Sequence, residues 1–305
     1  TSTGMERGSI LIVGAGGIGC KWASQAHLRC AKFADLLLID ADKDSFSGIN
    51  SAHCLQLSLG GNDKGTATLS RVAKHRLKEG INEFKPLLKS SELVIILAGL
   101  GGGTGSGVAP EIAAMAQDTG SVVVSIAGLP FAEQPLRSAI AKHTLPYLEN
   151  FSDVCIKLSM ERLAWQAKDR NSDWESGSEW IGELIEGLVT TLAKVGKINL
   201  DLMDLKTIVN KSGDTTLVVG TGSTDDPDFV VKMAKKSPLY DIEVQGARGC
   251  LIQVEGGPDM TLAHLEQVSE GFLSILDPDC QVILGARSSD NMLGKLRLIA
   301  VLSGI

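Results

Sequence analysis

Two glycine runs, each entered from a short apolar segment, limit what this chain can fold into more than any other feature. Ser9 to Val13 (SILIV) leads into Gly14-Ala15-Gly16-Gly17-Ile18-Gly19. Leu93 to Leu97 (LVIIL) leads into Ala98-Gly99-Leu100-Gly101-Gly102-Gly103-Thr104-Gly105-Ser106-Gly107. A short apolar run bounded by glycine reads as a strand buried on both faces. Helices are expected after each run, from about Gly19 to Cys30 and from Pro110 to Asp118. Leu36 to Ile39 and Ser121 to Ile126 read as two more strands, and Thr68 to Lys78 as a helix. Strand, glycine turn and helix in repetition imply an α/β, Rossmann-like fold with a parallel sheet covered on both faces. Ligands of such sheets bind beyond the carboxyl ends of the strands, where both glycine runs fall.

Small residues at a strand-to-helix turn let a phosphate approach the backbone, and the helix N-terminus adds partial positive charge. The first run alone also suits a dinucleotide, with Asp40 placed to grip a ribose. The second run adds successive turn-permissive amides around the Thr104 hydroxyl, a nest for further phosphate oxygens. A nucleoside triphosphate can use both loops. The competing readings are a turn needed only for packing and a flexible glycine linker.

Composition narrows the class. The chain has 305 residues, 44% hydrophobic but only 4% aromatic, so its core must be mostly aliphatic. Its net charge of −7, with acids and bases interspersed, excludes a general nucleic-acid surface, which needs a basic face. The six cysteines are scattered without a C-x-x-C pair, so neither a zinc site nor a disulfide framework is expected. A reduced cytoplasm is the expected location. The longest apolar runs fall far short of the ~18 residues of a membrane span. No transmembrane segment or secretory leader is expected.

Beyond Trp180 the periodicity changes. Ile181, Leu184, Ile185, Leu188, Val189 and Leu192 recur at three- and four-residue steps, so a helix is expected from about Ser176 to Val195, stopping at Gly196. Leu217 to Val219, Cys250 to Val254, Val282 to Leu284 and Leu296 to Leu302 read as strands and Thr261 to Ile275 as a helix. This half has no repeated glycine-rich strand–helix turns and reads as a smaller α/β domain. Three regions follow: a nucleotide-binding domain 1–175, a central helix 176–196 and a C-terminal activation and polymerisation domain 197–305.

Gly101 to Gly107 (GGGTGSG) closely resembles the signature of the tubulin/FtsZ family, and the resemblance extends over nearly all the chain. It implies a GTPase that binds GTP or GDP with Mg²⁺ and assembles with copies of itself, head to tail, into cytoskeletal filaments. Related filament-forming proteins are further candidate partners. By this resemblance Gly16, Gly17, Cys20, Lys21, Asp42, Gly101, Gly102, Gly103, Thr104 and Gly105 hold the nucleotide. Pro130-Phe131 with Glu133 and Arg137 looks like the family's ribose loop, one residue shorter than usual. Glu133 and Arg137 also fit an i,i+4 pair on a helix surface. Trp174 falls where the family stacks an aromatic on guanine, and Glu179 where it sets an acid against the base edge. Ordinary core and a solvated helix face are the alternatives for these two.

Gly196 to Lys206 contains Asn199, Asp201 and Asp204 in the pattern of the family's catalytic loop. From Trp174 to Gly196 a continuous helix would span about 33 Å, so these acids cannot reach their own nucleotide. They can reach that of a neighbour stacked head to tail, a contact that does not close and so builds filaments. Asp201 and Asp204 would orient a water at the γ-phosphate, and Asn199 would hold the loop or touch phosphate. A solvated turn capping a following helix is the competing reading.

The chain also departs from the family. Lys21 and Met160 stand where nucleotide-contacting Asn residues are usual, and Lys64-Gly65-Thr66-Ala67-Thr68-Leu69-Ser70 lacks the glycine-rich γ-phosphate loop. Lys21 or Lys64 could substitute as a point charge on phosphate, and a solvated lysine is the alternative for each. The chain stops at Leu302-Ser303-Gly304-Ile305, with no tail peptide expected to follow. Two further readings stay open. One is a nucleotide-binding scaffold or regulator with little hydrolysis. The other is an ATP-dependent adenylating enzyme of the ubiquitin-activating type, which Ile10 to Cys20 and Leu38 to Asp42 resemble, with Asp42 holding Mg²⁺.

Overall fold

The structure, a computed structural model, describes residues 10–57, 70–169, 181–186, 189, 213–236 and 243–305. They form two compact units. One holds residues up to Cys155 and from Ser159 into the helical residues 181–186; the other holds Ile156–Leu158 and residues 213–305.

The larger sheet has six strands: β1 (Ile10–Ala15), β2 (Asp35–Asp40), β3 (His53–Gln56), β4 (Leu93–Gly99), β5 (Val122–Leu129) and β6 (Val154–Ser159). Their order in the sheet is β3-β2-β1-β4-β5-β6. Pairs β1–β2, β1–β4, β2–β3 and β4–β5 are all parallel. Ile10, Leu11, Ile12 and Val13 are each fully buried, as are Leu93 to Leu97, so successive side chains are covered on both faces. This is why these strands read as unbroken apolar runs rather than as an alternation. Helices α1 (Gly16–Cys30), α2 (Ser70–Gly80), α3 (Lys85–Lys89), α4 (Gly103–Asp118), α5 (Pro135–Asn150) and α6 (Met160–Asp169) connect them.

Strand order reverses between β1 and β4. Ala15 lies opposite Ile39 on one side and Ala98 on the other. The crevice at such a reversal is where open α/β sheets take their ligands, and it is flanked by the two glycine runs.

Several boundaries differ from expectation. The helix expected from about Gly19 begins at Gly16, and the one expected from Pro110 begins at Gly103 and runs on through Pro110. Strands β3 and β6 and helices α5 and α6 have no counterpart in the hydropathy pattern. The expected Ser176–Val195 helix lies mostly outside the described residues; 181–186 and 189 are helical.

The second unit has strands β7 (Thr216–Ser223), β8 (Gly249–Gly256), β9 (Gln281–Ser288) and β10 (Lys295–Ser303), in the order β7-β10-β8-β9. β10 runs antiparallel to both neighbours, while β8 and β9 are parallel. Helices Pro227–Lys235 and Leu262–Leu273 pack Val230, Val231, Ala234, Val268 and Phe272 on Val218, Ile252, Val254, Leu298 and Ala300. The glycines here serve packing: a Cβ on Gly220 would lie 2.8 Å from the Ala234 nitrogen.

Candidate functional site

β1 turns into α1 at Gly16, whose φ of +76° is left-handed, a conformation open to glycine at little cost. The N-cap, Ala15, makes no side-chain capping bond, and the first turn of α1 has no acid. α4 repeats the arrangement: Gly102 caps it without a side-chain bond, and its first turn is also acid-free. Each helix therefore presents the positive end of its dipole, with no acid in its first turn, at the strand-order reversal.

The two loops touch. A Cβ on Gly16 would lie 3.1 Å from the Gly105 nitrogen and 3.8 Å from Thr104 Cβ. The second loop is braced within itself, because the Gly101 N–H donates to Ser106 Oγ at 2.8 Å. Gly101 has φ +102°, and a Cβ there would come within 2.7 Å of the Arg137 carbonyl oxygen. A Cβ on Gly102 would sit 3.8 Å from Arg137 Nη1. The structure thus brings Gly16, Gly101, Gly102, Gly103, Thr104, Gly105 and Arg137 together. Thr104 is 6% exposed, inside the first turn of α4. Gly17 is exposed, and a Cβ there would meet nothing within 4 Å. Gly107 instead lets α2 lie against α4, since a Cβ there would come 2.9 Å from Ala73 Cβ.

Further candidates lie within α1 and just after β2. Cys20 is fully buried, its thiol donating to the Gly14 carbonyl at 3.5 Å and the Ile39 carbonyl at 3.6 Å. Burial pushes that thiol far above the ordinary range, and its bond to the Gly14 carbonyl ties α1 to the first glycine run. Lys21 is half-buried in α1. Asp42 accepts from the Asp44 N–H at 2.9 Å and caps the short 3-10 turn Lys43–Phe46. Asp40, 5% exposed, accepts from the Ala41 N–H at 2.8 Å and from the Ser45 hydroxyl. Burial raises its carboxyl, and those bonds oppose the rise.

Glu133 is exposed in the turn before α5, which begins at Pro135. Glu133 and Arg137 therefore do not share a helix face, and the i,i+4 alternative is set aside. Met160 opens α6 at 3% exposure; a Cβ on Gly128 would lie 3.2 Å from its sulfur and 2.8 Å from the Trp22 ring. It is core packing at a position where the family resemblance led to a polar contact. Asn199, Asp201, Asp204, Trp174, Glu179 and the stretch 64–69 lie outside the described residues. The brace by Ser106 was not singled out from the sequence, although the residue falls inside the glycine heptapeptide that would have flagged it.

Comparison with known proteins extends this geometry. Residues 9–167 match the family model described as Tubulin/FtsZ family, GTPase domain. Residues 213–305 match that of the FtsZ family, C-terminal domain. The chain is 30% identical over 301 residues to Cell division protein FtsZ 1 of Archaeoglobus fulgidus, covering 97% of this chain and 82% of that protein. To Cell division protein FtsZ 2 of Haloferax volcanii it is 31% identical over 303 residues, covering 97% and 75%. An FtsZ dimer from M. jannaschii, described as empty, superposes with TM-score 0.85 at 28% identity over 98% of this chain and 88% of that one. CetZ2 from Haloferax volcanii, described as a GTPgS-bound protofilament, gives 0.72 at 18% identity over 97% and 93%, a likeness of fold alone.

Proposed function

This chain belongs to the tubulin/FtsZ family, with that family's fold and GTPase domain, and from this premise we propose that it binds GTP at the β1–β4 crevice and polymerises head to tail. The observation that carries the reading is the meeting of two acid-free, uncapped helix N-termini across Gly16 and Gly105. One N-terminus suits one phosphate group; two in contact suit a chain of them. Arg137 beside Gly101 and Gly102 adds a fixed positive charge.

In this reading the regions 1–175, 176–196 and 197–305 are the GTP-binding domain, the central helix and the activation and polymerisation domain. Trp174 and Glu179 stack on and select guanine. Asn199, Asp201 and Asp204 enter the next subunit's pocket, where the two aspartates orient the attacking water. Catalysis of this type is mostly positioning and charge stabilisation, so each new contact completes a site and each hydrolysis weakens one. The FtsZ dimer supports self-association here, with related filament proteins as further partners.

Among the described residues no group of three or more His, Cys, Asp or Glu could hold a metal ion. Mg²⁺ is ordinarily bound through substrate phosphates and water rather than by an all-protein cage. When bound it neutralises phosphate charge; the chain's own part is to place the triphosphate under the helix N-termini. Among the described residues, no helix is long and apolar enough to cross a membrane. A cytoplasmic filament is the reading adopted. The adenylating-enzyme reading is set aside, because residues 9–167, including the second loop, match the GTPase domain model.

The test begins by releasing bound nucleotide from purified protein and identifying its base. GTP with Mg²⁺ is then added while light scattering and phosphate release are followed together. Asp204→Ala is expected to keep nucleotide and lose turnover by about a hundredfold or more, the scale of a removed catalytic group. Wild-type turnover in that variant overturns the catalytic assignment. Scattering without phosphate release from the unaltered chain favours the non-hydrolysing scaffold.

A further inference from the structure

The turn that carries Glu133 is held from outside by a carboxylate on another helix. β5 ends at Leu129, and residues 131–134 form a tight turn closed by the Gln134 N–H donating to the Phe131 carbonyl at 3.0 Å. The Ser138 hydroxyl donates to the same carbonyl at 3.3 Å and fastens the turn to the start of α5. Within the turn the Ala132 N–H donates to Glu161 Oε1 at 2.7 Å. Glu161 lies in the first turn of α6, where the Arg162 N–H donates to Ser159 Oγ at 3.4 Å. Ala132, Glu133 and Gln134 are all exposed, so side-chain packing does little to fix this turn.

We propose that Glu161 is a positioning residue for the sugar of the bound nucleotide. By clamping the Phe131–Ala132 peptide it sets the direction in which Glu133 leaves the turn. The inference rests on the reading of Glu133 as the ribose contact. An N–H bond to an ionised acceptor is about twice as strong as one between neutral groups, so the Glu161 bond adds more to the turn than either bond at the Phe131 carbonyl. Without it, one or two residues must be ordered at each binding event, and affinity falls by about tenfold.

The experiment compares GTP with 2′,3′-dideoxy-GTP on the full chain, for the unaltered protein, Glu161→Ala, Glu161→Gln and Glu133→Ala. The unaltered protein is expected to prefer GTP over the dideoxy nucleotide. Glu161→Ala is expected to lose about tenfold in GTP affinity, with dideoxy-GTP binding unchanged. Glu161→Gln, whose amide oxygen still accepts from Ala132, is expected to recover most of that loss. Glu161→Ala added to Glu133→Ala is expected to cost nothing further. Equal losses for both nucleotides in Glu161→Ala mark a merely structural role and overturn the proposal, as does unchanged GTP affinity in a protein that still prefers GTP. If the unaltered protein binds both nucleotides equally, the ribose reading of Glu133 itself has failed.

Discussion

A methyl group placed on Gly105 would run into the backbone carbonyl of Gly99, whereas one placed on Gly17 would meet nothing within 4 Å. Both residues stand in the first turn of a helix, yet only Gly105 is needed by the fold. Gly105→Ala is expected to destabilise by about 1–3 kcal/mol, since backbone cannot move aside as a flexible side chain can. Gly17→Ala is expected to leave stability unchanged or raise it by up to about 1 kcal/mol, the helix preference of alanine over glycine. It should nonetheless weaken nucleotide binding, because the methyl occupies the open space above the N-terminus. Thermal unfolding and nucleotide titration of the pair separate the two roles; equal binding by Gly17→Ala argues against a phosphate there. The buried thiols give a second residue-level expectation. Burial pushes Cys30 from 9.0 to about 12, and Cys20 and Cys250 also far upward. Each folded thiol holds its proton more tightly than the unfolded one. The resulting stability is therefore full below pH 9.0 and lost as pH rises toward the folded value, at roughly 1.4 kcal/mol per pH unit per thiol. Urea unfolding on either side of pH 9.0 reads this directly, and a flat profile there counts against it.

At the scale of elements, α1 joins the candidate phosphate site at its start to a second helix at its end. Arg29, in the last turn of α1, reaches Glu186 at 3.5 Å and Glu183 at 3.8 Å. The Glu183 side chain is only 8% exposed. Gly182 makes the approach possible: a Cβ there would lie 3.3 Å from Arg29 Nε and 3.7 Å from Ala26 Cα. Arg29→Ala removes a cation from beside a buried carboxylate and is expected to cost about 1–3 kcal/mol. Adding Glu183→Gln should return much of that, since a neutral amide is cheaper to bury than an ionised acid. Urea denaturation of the single and double variants decides it, and an additive double loss sinks the ion-pair account.

At the scale of the whole molecule the central expectation concerns concentration. If the loop holding Asp201 and Asp204 acts on a neighbour's nucleotide, phosphate release per protomer must rise with protein concentration and approach zero on dilution. A constant rate per protomer across that range would mean that each chain completes its own site. Mixing Asp204→Ala with the unaltered chain extends the test, because alternating copies should lower turnover more than simple dilution does.

The amino-acid order alone determined the α/β class, the apolar strands β1, β2, β4 and β5, and the glycine loops. Each of these is a local pattern: strands covered on both faces need continuous aliphatic runs, and a turn close to a ligand needs residues without side chains. The helix starts at Gly16 and Gly103 were not legible, because glycine disfavours helix locally, while the approach of Gly19 to the Leu97 carbonyl and of Gly105 to the Gly99 carbonyl exists only in the folded sheet. β3 and β6 were missed for a similar reason: HCLQ is short and mostly exposed, and VCIKLS carries a lysine at its centre. What only the tertiary structure decided is which loops meet. The contact of Gly16 with Gly105, the seating of Arg137 over Gly101 and the hold of Glu161 on Ala132 all join segments far apart in the chain. They follow from the order of strands in the sheet, a long-range pairing for which no single stretch of residues carries a signal.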